Sequence, residues 1–284
     1  MNRTACLLFS CPDKAGIIAH IVSFFTLRGL SISRFEEYTD AGRFFSRLEW
    51  QLEDESEDAS PAEFTEAFQS VSDGLEAEFR FHFFSEKQKL GLFVSHEPHA
   101  LIEVLNKHEA GDYPNTEISF VIGNRESVRH IVERHDIPFH FVKTWKDPAK
   151  HEPQQLEIIQ QYQPDLIGLA RYMKVVTANF INSTDCPIVN IHHSFLPSFV
   201  GAKPYEMAYE RGVKLMGATS HYVTPELDQG PIIEQGVIRV QPGQSIDEMK
   251  KVGRDIEKQV FATALSKALH HKTITYSNRT IVFN

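Results

Sequence analysis

Cysteine is scarce in this sequence, and long apolar runs are missing. The three cysteines among 284 residues are Cys6, Cys11 and Cys186; they form no Cys-x-x-Cys pair and cannot all pair with one another. A reducing cytoplasm is therefore the expected setting. No apolar run is long enough to span a bilayer, and the one before Pro12 is too short for the core of a signal peptide, so we expect no membrane partner.

Positive charge is also in short supply. Lys and Arg total 29 against 38 Asp and Glu, which gives a net charge of −9. A nucleic-acid partner favours a basic face, so this acidic balance argues against one. Hydrophobic residues at 42% and charged residues at 24% are ordinary values for a globular protein, and 284 residues allow two domains, each with its own core.

Residues 1–85 alternate between the periodicities of strands and helices. Arg3–Ser10 predicts a strand that ends at Cys11-Pro12-Asp13, and the next helix has Asp13 as its expected N-cap and Gly29 as its stop. Two further strands, a second helix and a phenylalanine-rich final strand complete the order βαββαβ. This order predicts a ferredoxin-like N-terminal domain.

Residues 86–284 show a different pattern, in which short apolar runs are separated by helical stretches. The apolar runs are Leu90–Val94, Ile118–Ile122, Pro138–Val142, Asp165–Leu169 and Ile188–Ile191. This rhythm is typical of a doubly wound, mostly parallel sheet in an α/β domain. Two more strands, a long helix over Ile246–Leu269 and a hairpin turning at Ser277-Asn278 complete the second predicted domain.

The end of the fifth apolar run carries the first candidate site, because open α/β sheets bind ligands beyond the carboxyl ends of their strands. Asn190 and His192 are two residues apart and point the same way from an extended chain. An amide donor beside an imidazole suits a developing oxyanion. A structural Asn–His pair that hydrogen-bonds a loop explains the same spacing equally well.

A second polar cluster lies between the predicted strands Leu215–Val223 and Ile232–Val240. The loop between them holds Asp228, whose carboxylate can orient or deprotonate an imidazole. An aspartate shortly before Gly230 is also common in ordinary turns. On its own, this cluster leaves the functional and the structural explanation open.

A metal site and a serine hydrolase are two alternative interpretations of these polar residues. His192, His193 and other nearby groups resemble metal ligands, but adjacent histidines on an extended segment point to opposite faces. No His-x₃-His or Cys-x₂-Cys spacing is present either, so no metal is expected. Ser194 lies near histidines, yet the Gly-x-Ser-x-Gly elbow of a hydrolase is missing.

Taken together, the two polar clusters resemble the folate-dependent formyltransferase family. One matching motif is Asn190–Phe199, the other is His221–Ile233, and Leu169–Val176 resembles the family's pterin-contacting loop. The resemblance extends from about Lys89 to the C-terminus. It implies a folate substrate bound by Met173, Lys174, Val175, Val176, His221 and Val223.

The N-terminal segment resembles an ACT domain through Cys11–Ile17 and Gly29–Ile32. An ACT domain ahead of a formyltransferase-type domain is the layout of the formyltetrahydrofolate deformylases. The doubled His192-His193 and the stretches Gly201–Tyr205 and Tyr209–Leu215 resemble the same branch. The resemblance implies hydrolysis of 10-formyltetrahydrofolate to formate and tetrahydrofolate, which supplies formate for purine synthesis and balances one-carbon pools.

The first turn of the second domain favours water over an amine as the formyl acceptor. A transferase that acts on a phosphorylated amine needs a phosphate cradle, usually rich in glycine, after its first strand. The corresponding turn, Val94–His99, has no glycine, and Glu97 has the wrong charge to face a phosphate. Formyl transfer to an amine is the alternative function, and a catalytically inactive regulator is a third.

Three residues of the two polar clusters are candidates for catalysis. We expect Asn190 to donate to the oxyanion and His192 to move a proton to the leaving nitrogen. Asp228 is expected to fix His192 and to help orient the attacking water. Because the folate is itself the substrate, no metal or dissociable cofactor is expected.

The ACT resemblance implies regulation and assembly, since such domains usually associate and bind small amino acids. Asp13, Gly16 and Ile17 lie where the first strand turns into a helix, and free backbone N–H groups there can hold a carboxylate. We therefore expect a homo-oligomer, at least a dimer, with an effector such as glycine or methionine. A helix cap at Asp13 and simple packing at Gly16 are equally good explanations.

Overall fold

The structure, a computed structural model, describes residues 3–52, 61–84, 87–198 and 204–284. The chain forms two compact units. The first ends its N-terminal part at Lys87 and also includes His271–Ile274 and Ile281–Asn284, whereas the second comprises Gln88–His270 with Thr275–Thr280. The C-terminal residues are therefore divided between the two units.

The first unit contains a four-stranded antiparallel sheet. Its elements are β1 (Arg3–Pro12), α1 (Ile17–Thr26), β2 (Ile32–Asp40), β3 (Arg43–Leu52), α2 (Pro61–Leu75) and β4 (Glu78–Phe83). The strand order β2-β3-β1-β4 confirms the predicted ferredoxin-like arrangement. Aromatic side chains fill the core; Phe24 and Phe68, for example, meet edge to face with ring centroids 4.8 Å apart.

The start of α1 differs from the prediction. β1 continues to Pro12, which lies opposite Arg43, and the backbone N–H of Asp13 donates to the carbonyl of Gly42 at 2.9 Å. Asp13 therefore extends the sheet contact instead of capping the helix. The N-cap residue is Gly16, whose φ of +91° is a conformation that glycine adopts without steric cost.

The second unit is built on a seven-stranded sheet. Its strands are β5 (Gln88–Val94), β6 (Thr116–Gly123), β7 (Phe139–Phe141), β8 (Leu166–Ala170), β9 (Ile188–His192), β10 (Leu215–Tyr222) and β11 (Ile232–Arg239). Its α-helices are α3 (His99–Glu109), α4 (Arg129–Glu133), α5 (Glu152–Tyr162), α6 (Ala178–Asn182), α7 (Pro204–Arg211) and α8 (Ile246–Leu269). The order is β11-β10-β9-β8-β5-β6-β7, parallel from β9 to β7 and antiparallel at β10 and β11, which confirms the predicted mostly parallel sheet.

The longest helix, α8, has the bounds that the sequence predicts. It begins with a capping box, in which the Ser245 hydroxyl accepts from the backbone N–H of Glu248 and the Glu248 carboxylate accepts from that of Ser245. Phe261 and Leu265 on α8 are fully buried, and Gly168 of β8 leaves room for them. Neither α8 nor any other helix in the described part of the chain is long and apolar enough to cross a membrane.

The C-terminal segment completes the first unit. β12 (Thr273–Tyr276) and β13 (Arg279–Val282) form the predicted hairpin. Within the first unit, Nε of Arg47 donates to the carbonyl of His271 at 2.8 Å, and the ring of His82 stacks on that of His271 with centroids 3.5 Å apart. Residues from both ends of the chain thus pack together in one unit.

The sheet of the second unit reverses its strand order between β5 and β8. The chain places β6 and β7 on one side of β5, and then β8 and β9 on the other side. Loops that leave β5 and β8 at their carboxyl ends consequently diverge. The crevice between such loops is where open α/β sheets bind their ligands.

Candidate active site

A cavity of about 320 Å³ lies at the carboxyl ends of β8 and β9. The loop after β8, the end of β9, and β10 with its following loop form its walls. It is lined by all nine residues predicted to act on or bind the substrate: Asn190, His192, Asp228, Met173, Lys174, Val175, Val176, His221 and Val223. Residues 199–203, which hold the end of one matching motif and most of Gly201–Tyr205, lie outside the described residues.

His192 is held at one nitrogen and available at the other. The residue is 6% exposed, and its Nδ1 lies 3.3 Å from Oδ2 of Asp228. Its Nε2 is buried and has no hydrogen-bond partner among the residues that the structure describes. Buried polar atoms are rarely left unpaired, so this nitrogen is available to a bound substrate.

Asp228 reaches His192 from the loop between β10 and β11. It has a φ of +55°, a left-handed conformation that aspartate tolerates better than most residues. Gly230 allows the loop to close, because a Cβ there would overlap the carbonyl oxygen of Tyr222. The turn predicted from the sequence therefore places the carboxylate of Asp228 beside His192.

His221 orients the amide of Asn190. Its Nδ1 lies 2.8 Å from the carbonyl oxygen of Tyr222, and its Nε2 lies 3.4 Å from Nδ2 of Asn190. The same Nε2 lies 3.7 Å from Oδ1 of Asp228. His221 is 2% exposed, so its position is fixed by packing as well as by these contacts.

The carboxyl group of Asp228 is held ionised. Burial by itself raises its pKa, but the hydrogen bonds and charges of His192 and His221 outweigh burial and hold the pKa well below its usual range. The ionised carboxylate lies beside Nδ1 of His192 and fixes the orientation of that ring. Within the described part of the chain, no group of three or more His, Cys, Asp or Glu side chains is arranged to hold a metal ion.

His193 does not point away from His192, contrary to the prediction. β9 ends at His192, so the alternation of a strand no longer applies at the next residue. His193 lines the same cavity, with its ring centroid 5.2 Å from that of His192. Burial and then the charge of Arg171 lower its pKa to about 4, so the ring is neutral near neutral pH.

A buried charge network beside the cavity was not predicted. Glu257 on α8 is 1% exposed; it accepts from the Tyr205 hydroxyl at 2.6 Å and pairs with Nε2 of His99 at 2.8 Å. Arg171 lies 3.2 Å from Glu257 and 3.4 Å from Glu97. Burial raises the pKa of Glu257, but the hydrogen bond from His99 and the charge of Arg171 outweigh it, so the pKa is lowered. The sequence does not predict this network, because its members are too far apart along the chain to form a motif.

Buried polar side chains fix the loop over residues 171–177. Oγ of Ser95 accepts from the backbone N–H of Met173 at 3.0 Å. The carboxylate of Glu152 accepts from both the backbone N–H and the hydroxyl of Thr177, at 2.8 and 2.6 Å. The side chain of Met173 remains 44% exposed and so is available to a ligand.

The residues predicted to bind an effector lie at the start of α1 in the first unit. Asp13 and Gly16 are exposed, whereas Ile17 is 3% exposed and packs in the core, so only its backbone can meet a ligand. Nδ1 of His20 donates to the carbonyl of Gly16 at 2.8 Å. The effector site stays a prediction.

The fold and the site together define a class of protein. The family model described as Formyl transferase matches residues 88–265, so the chain belongs to that family. One solved member is the glycinamide ribonucleotide transformylase 1 from Symbiobacterium toebii. It is 25% identical with a TM-score of 0.66, and the match covers 72% of this chain and 97% of that one.

Relatives that match along nearly the whole chain narrow the assignment. The formyltetrahydrofolate deformylase of Bacillus subtilis is 44% identical over 282 residues, which is 98% of this chain and 93% of the relative. That of Synechocystis is 40% identical and covers 99% of both chains. The crystal structure of a formyltetrahydrofolate deformylase from Pseudomonas syringae is 38% identical with a TM-score of 0.93, covering 100% of this chain and 95% of that one. This chain belongs to the formyltetrahydrofolate deformylase family.

Proposed function

We propose that this protein hydrolyses 10-formyltetrahydrofolate to formate and tetrahydrofolate in the cytoplasm, which supplies formate for purine synthesis and balances one-carbon pools. The observation that carries the proposal is one cavity that holds Asn190, His192 and Asp228, with Nε2 of His192 unpaired among the described residues. Membership of the deformylase family supports the same activity.

The three side chains divide the chemistry between them. Water adds to the formyl carbon, and the amide N–H of Asn190 donates to the oxygen that becomes negative. His192 passes a proton to N10 as the bond from carbon to N10 breaks. The ionised Asp228 holds His192 at Nδ1 and stabilises positive charge on its ring. The folate is itself the substrate of the proposed reaction, and we propose no further cofactor.

The loop over residues 171–177 is proposed to hold the pterin ring. Met173 supplies an adaptable apolar contact, and Val175, which is 60% exposed, supplies another. Lys174 and Val176 lie on the same loop and line the same cavity, as do His221 and Val223 on the opposite wall.

The turn after β5 supports water, not a phosphorylated amine, as the acceptor. Glu97 lies in this turn and faces the guanidinium of Arg171 at 3.4 Å and the ring of His99 at 3.7 Å. Glu257 also pairs with both of them. Because the carboxylates of Glu97 and Glu257 already occupy this region, a phosphate group there would be repelled by their negative charge.

A formate-release assay on the purified chain tests the activity. The protein should release formate from 10-formyltetrahydrofolate without any added amine. Asn190→Ala, His192→Ala and Asp228→Ala should each lower turnover by about 10²–10³-fold, the usual effect of losing one group that stabilises a transition state. Their melting temperatures should stay near that of the wild type. Wild-type turnover in all three variants would refute the assignment, and a formylated product that forms only with an added amine would establish the transferase instead.

We further propose that the first unit binds a small amino acid, such as glycine or methionine, and that the chain forms a homo-oligomer. The exposed Asp13 and the free backbone at the start of α1 support an effector site. Gly16→Leu and Asp13→Ala should abolish the response of formate release to the amino acid without lowering basal turnover. A wild-type protein that is monomeric in solution and unresponsive to either amino acid would contradict this assignment.

A further inference from the structure

We propose that His193 holds the water molecule that attacks the formyl group. The inference rests on the proposed hydrolysis and adds the group that binds the second reactant. Asn190, His192 and Asp228 account for the oxyanion and for the leaving nitrogen. Hydrolysis also needs a fixed position for water, because a correctly placed nucleophile lowers the barrier to attack.

The ring of His193 has unmet hydrogen-bonding capacity and lines the cavity. His193 is 9% exposed and lines the cavity beside His192. In the part of the chain that the structure describes, no protein group hydrogen-bonds to either of its ring nitrogens. Water readily bridges polar groups in a cavity, so a water molecule is the expected partner of a ring nitrogen that the protein leaves unpaired.

Neighbouring rings hold His193 in place. Its ring lies nearly parallel to that of Tyr205, at 26° with centroids 6.2 Å apart, and 5.2 Å from that of His192. Tyr205 is itself fixed by the 2.6 Å hydrogen bond from its hydroxyl to Glu257. The buried charge network thus has a role in the site, because it orients the ring that receives the water.

The charges around His193 keep the ring neutral. The groups that face it are Arg171, Glu257, His192 and Asp228, and burial together with Arg171 outweighs the two carboxylates. A neutral imidazole has one nitrogen lone pair, which can accept a hydrogen bond from water. A protonated ring would have none.

The proton balance of the step is complete with the groups present. As the water oxygen bonds to the formyl carbon, one of its protons moves to His193. His192 then gives a proton from Nε2 to N10 while the bond from carbon to N10 breaks, which yields formic acid and tetrahydrofolate. His193 returns its proton to His192, and formic acid ionises, so that each turnover releases formate and one proton.

Two substitutions at His193 test the inference. His193→Phe keeps a ring of similar size against Tyr205 but removes both nitrogens, and His193→Ala leaves space for added imidazole. We expect kcat for formate release to fall about 100-fold in both variants, the scale of lost acid–base assistance, while KM stays within about twofold of wild type. Imidazole should restore part of the kcat of His193→Ala and leave His193→Phe unchanged. The exposed His130 offers a matched control, since His130→Ala should behave as wild type.

The possible outcomes separate this inference from the proposed function. If the wild type releases no formate, the proposed hydrolysis itself is wrong. If the wild type is active and His193→Phe, with an unchanged melting temperature, keeps wild-type kcat, His193 does not hold the water. A loss of kcat in His193→Ala that imidazole does not relieve, with KM raised to match, would likewise overturn the inference, because it would indicate a distorted cavity.

Discussion

Asp228→Asn removes one charge from the active site while keeping the size and shape of the side chain. The carboxylate lies 3.3 Å from Nδ1 of His192 and 3.7 Å from Nε2 of His221. An amide oxygen can still accept from His192, so the geometry of the pair is preserved. The variant therefore isolates the stabilisation that a full negative charge gives to a positive ring.

The size of the effect follows from the distance between the two groups. Opposite unit charges about 3.3 Å apart attract by about 5 kcal/mol at an effective dielectric constant of about 20. The remaining hydrogen bond, from the positive ring to the amide oxygen, is worth about 1.5–3 kcal/mol. The loss is then about 3 kcal/mol, which corresponds to a fall in kcat of about 100-fold.

The assay is formate release at saturating 10-formyltetrahydrofolate, together with the melting temperature of each variant. Glu226→Gln makes the same chemical change on an exposed residue of the same loop, and should leave kcat unchanged. If Asp228→Asn keeps kcat within twofold of wild type while its melting temperature is unchanged, the charge on Asp228 does not stabilise His192 in the reaction.

Three further predictions concern binding, packing and acid stability. Val175→Trp should raise KM about tenfold by filling the cavity, with little change in melting temperature because Val175 is 60% exposed; an unchanged KM would remove this loop from the binding site. Gly253→Ala should lower the stability of the second unit by about 1–3 kcal/mol, since its Cβ would overlap Tyr205, and Tyr205→Ala in the same chain should recover part of the loss in a urea titration. The pKa values of His82 and His193, both lowered to about 4, lie below the unfolded value of about 6.5. As the pH falls, the unfolded chain therefore binds more protons than the folded chain does. Each ring should lower the free energy of unfolding of its own unit by about 1 kcal/mol between about pH 7.5 and 5.5. Replacing either histidine with Gln should make this decrease smaller.

Local periodicity was sufficient to predict most of the fold. α8 has the predicted bounds of Ile246–Leu269, and the alternating phenylalanines of the last N-terminal strand lie on β4. The prediction that Asp13 is the N-cap of α1 was wrong. The backbone N–H of Asp13 donates instead to the carbonyl of Gly42, which lies 29 residues further along the chain. Competition of this kind between a strand and a helix end is invisible in a local pattern.

The candidate site likewise contains some residues that could be predicted from the sequence and others that could not. Asn190, His192 and Asp228 belong to contiguous motifs and could be named from the sequence. The pairing of Arg171 with Glu257 could not be predicted from the sequence. The local sequence around a buried charged residue does not differ from that around an exposed one, and only tertiary packing distinguishes the two. The shared cavity position of His192 and His193 was likewise hidden, since it depends on the exact residue at which β9 ends.

The return of the C-terminus to the first unit has a consequence for biosynthesis. The carbonyl and the ring of His271, which Arg47 and His82 contact, leave the ribosome only after Gln88–His270, the main part of the second unit, has been made. The part of the protein that is translated first therefore finishes packing last, although domains generally fold in the order of their synthesis. Chains released early by a premature stop codon should expose the N-terminal unit to proteases before the catalytic unit.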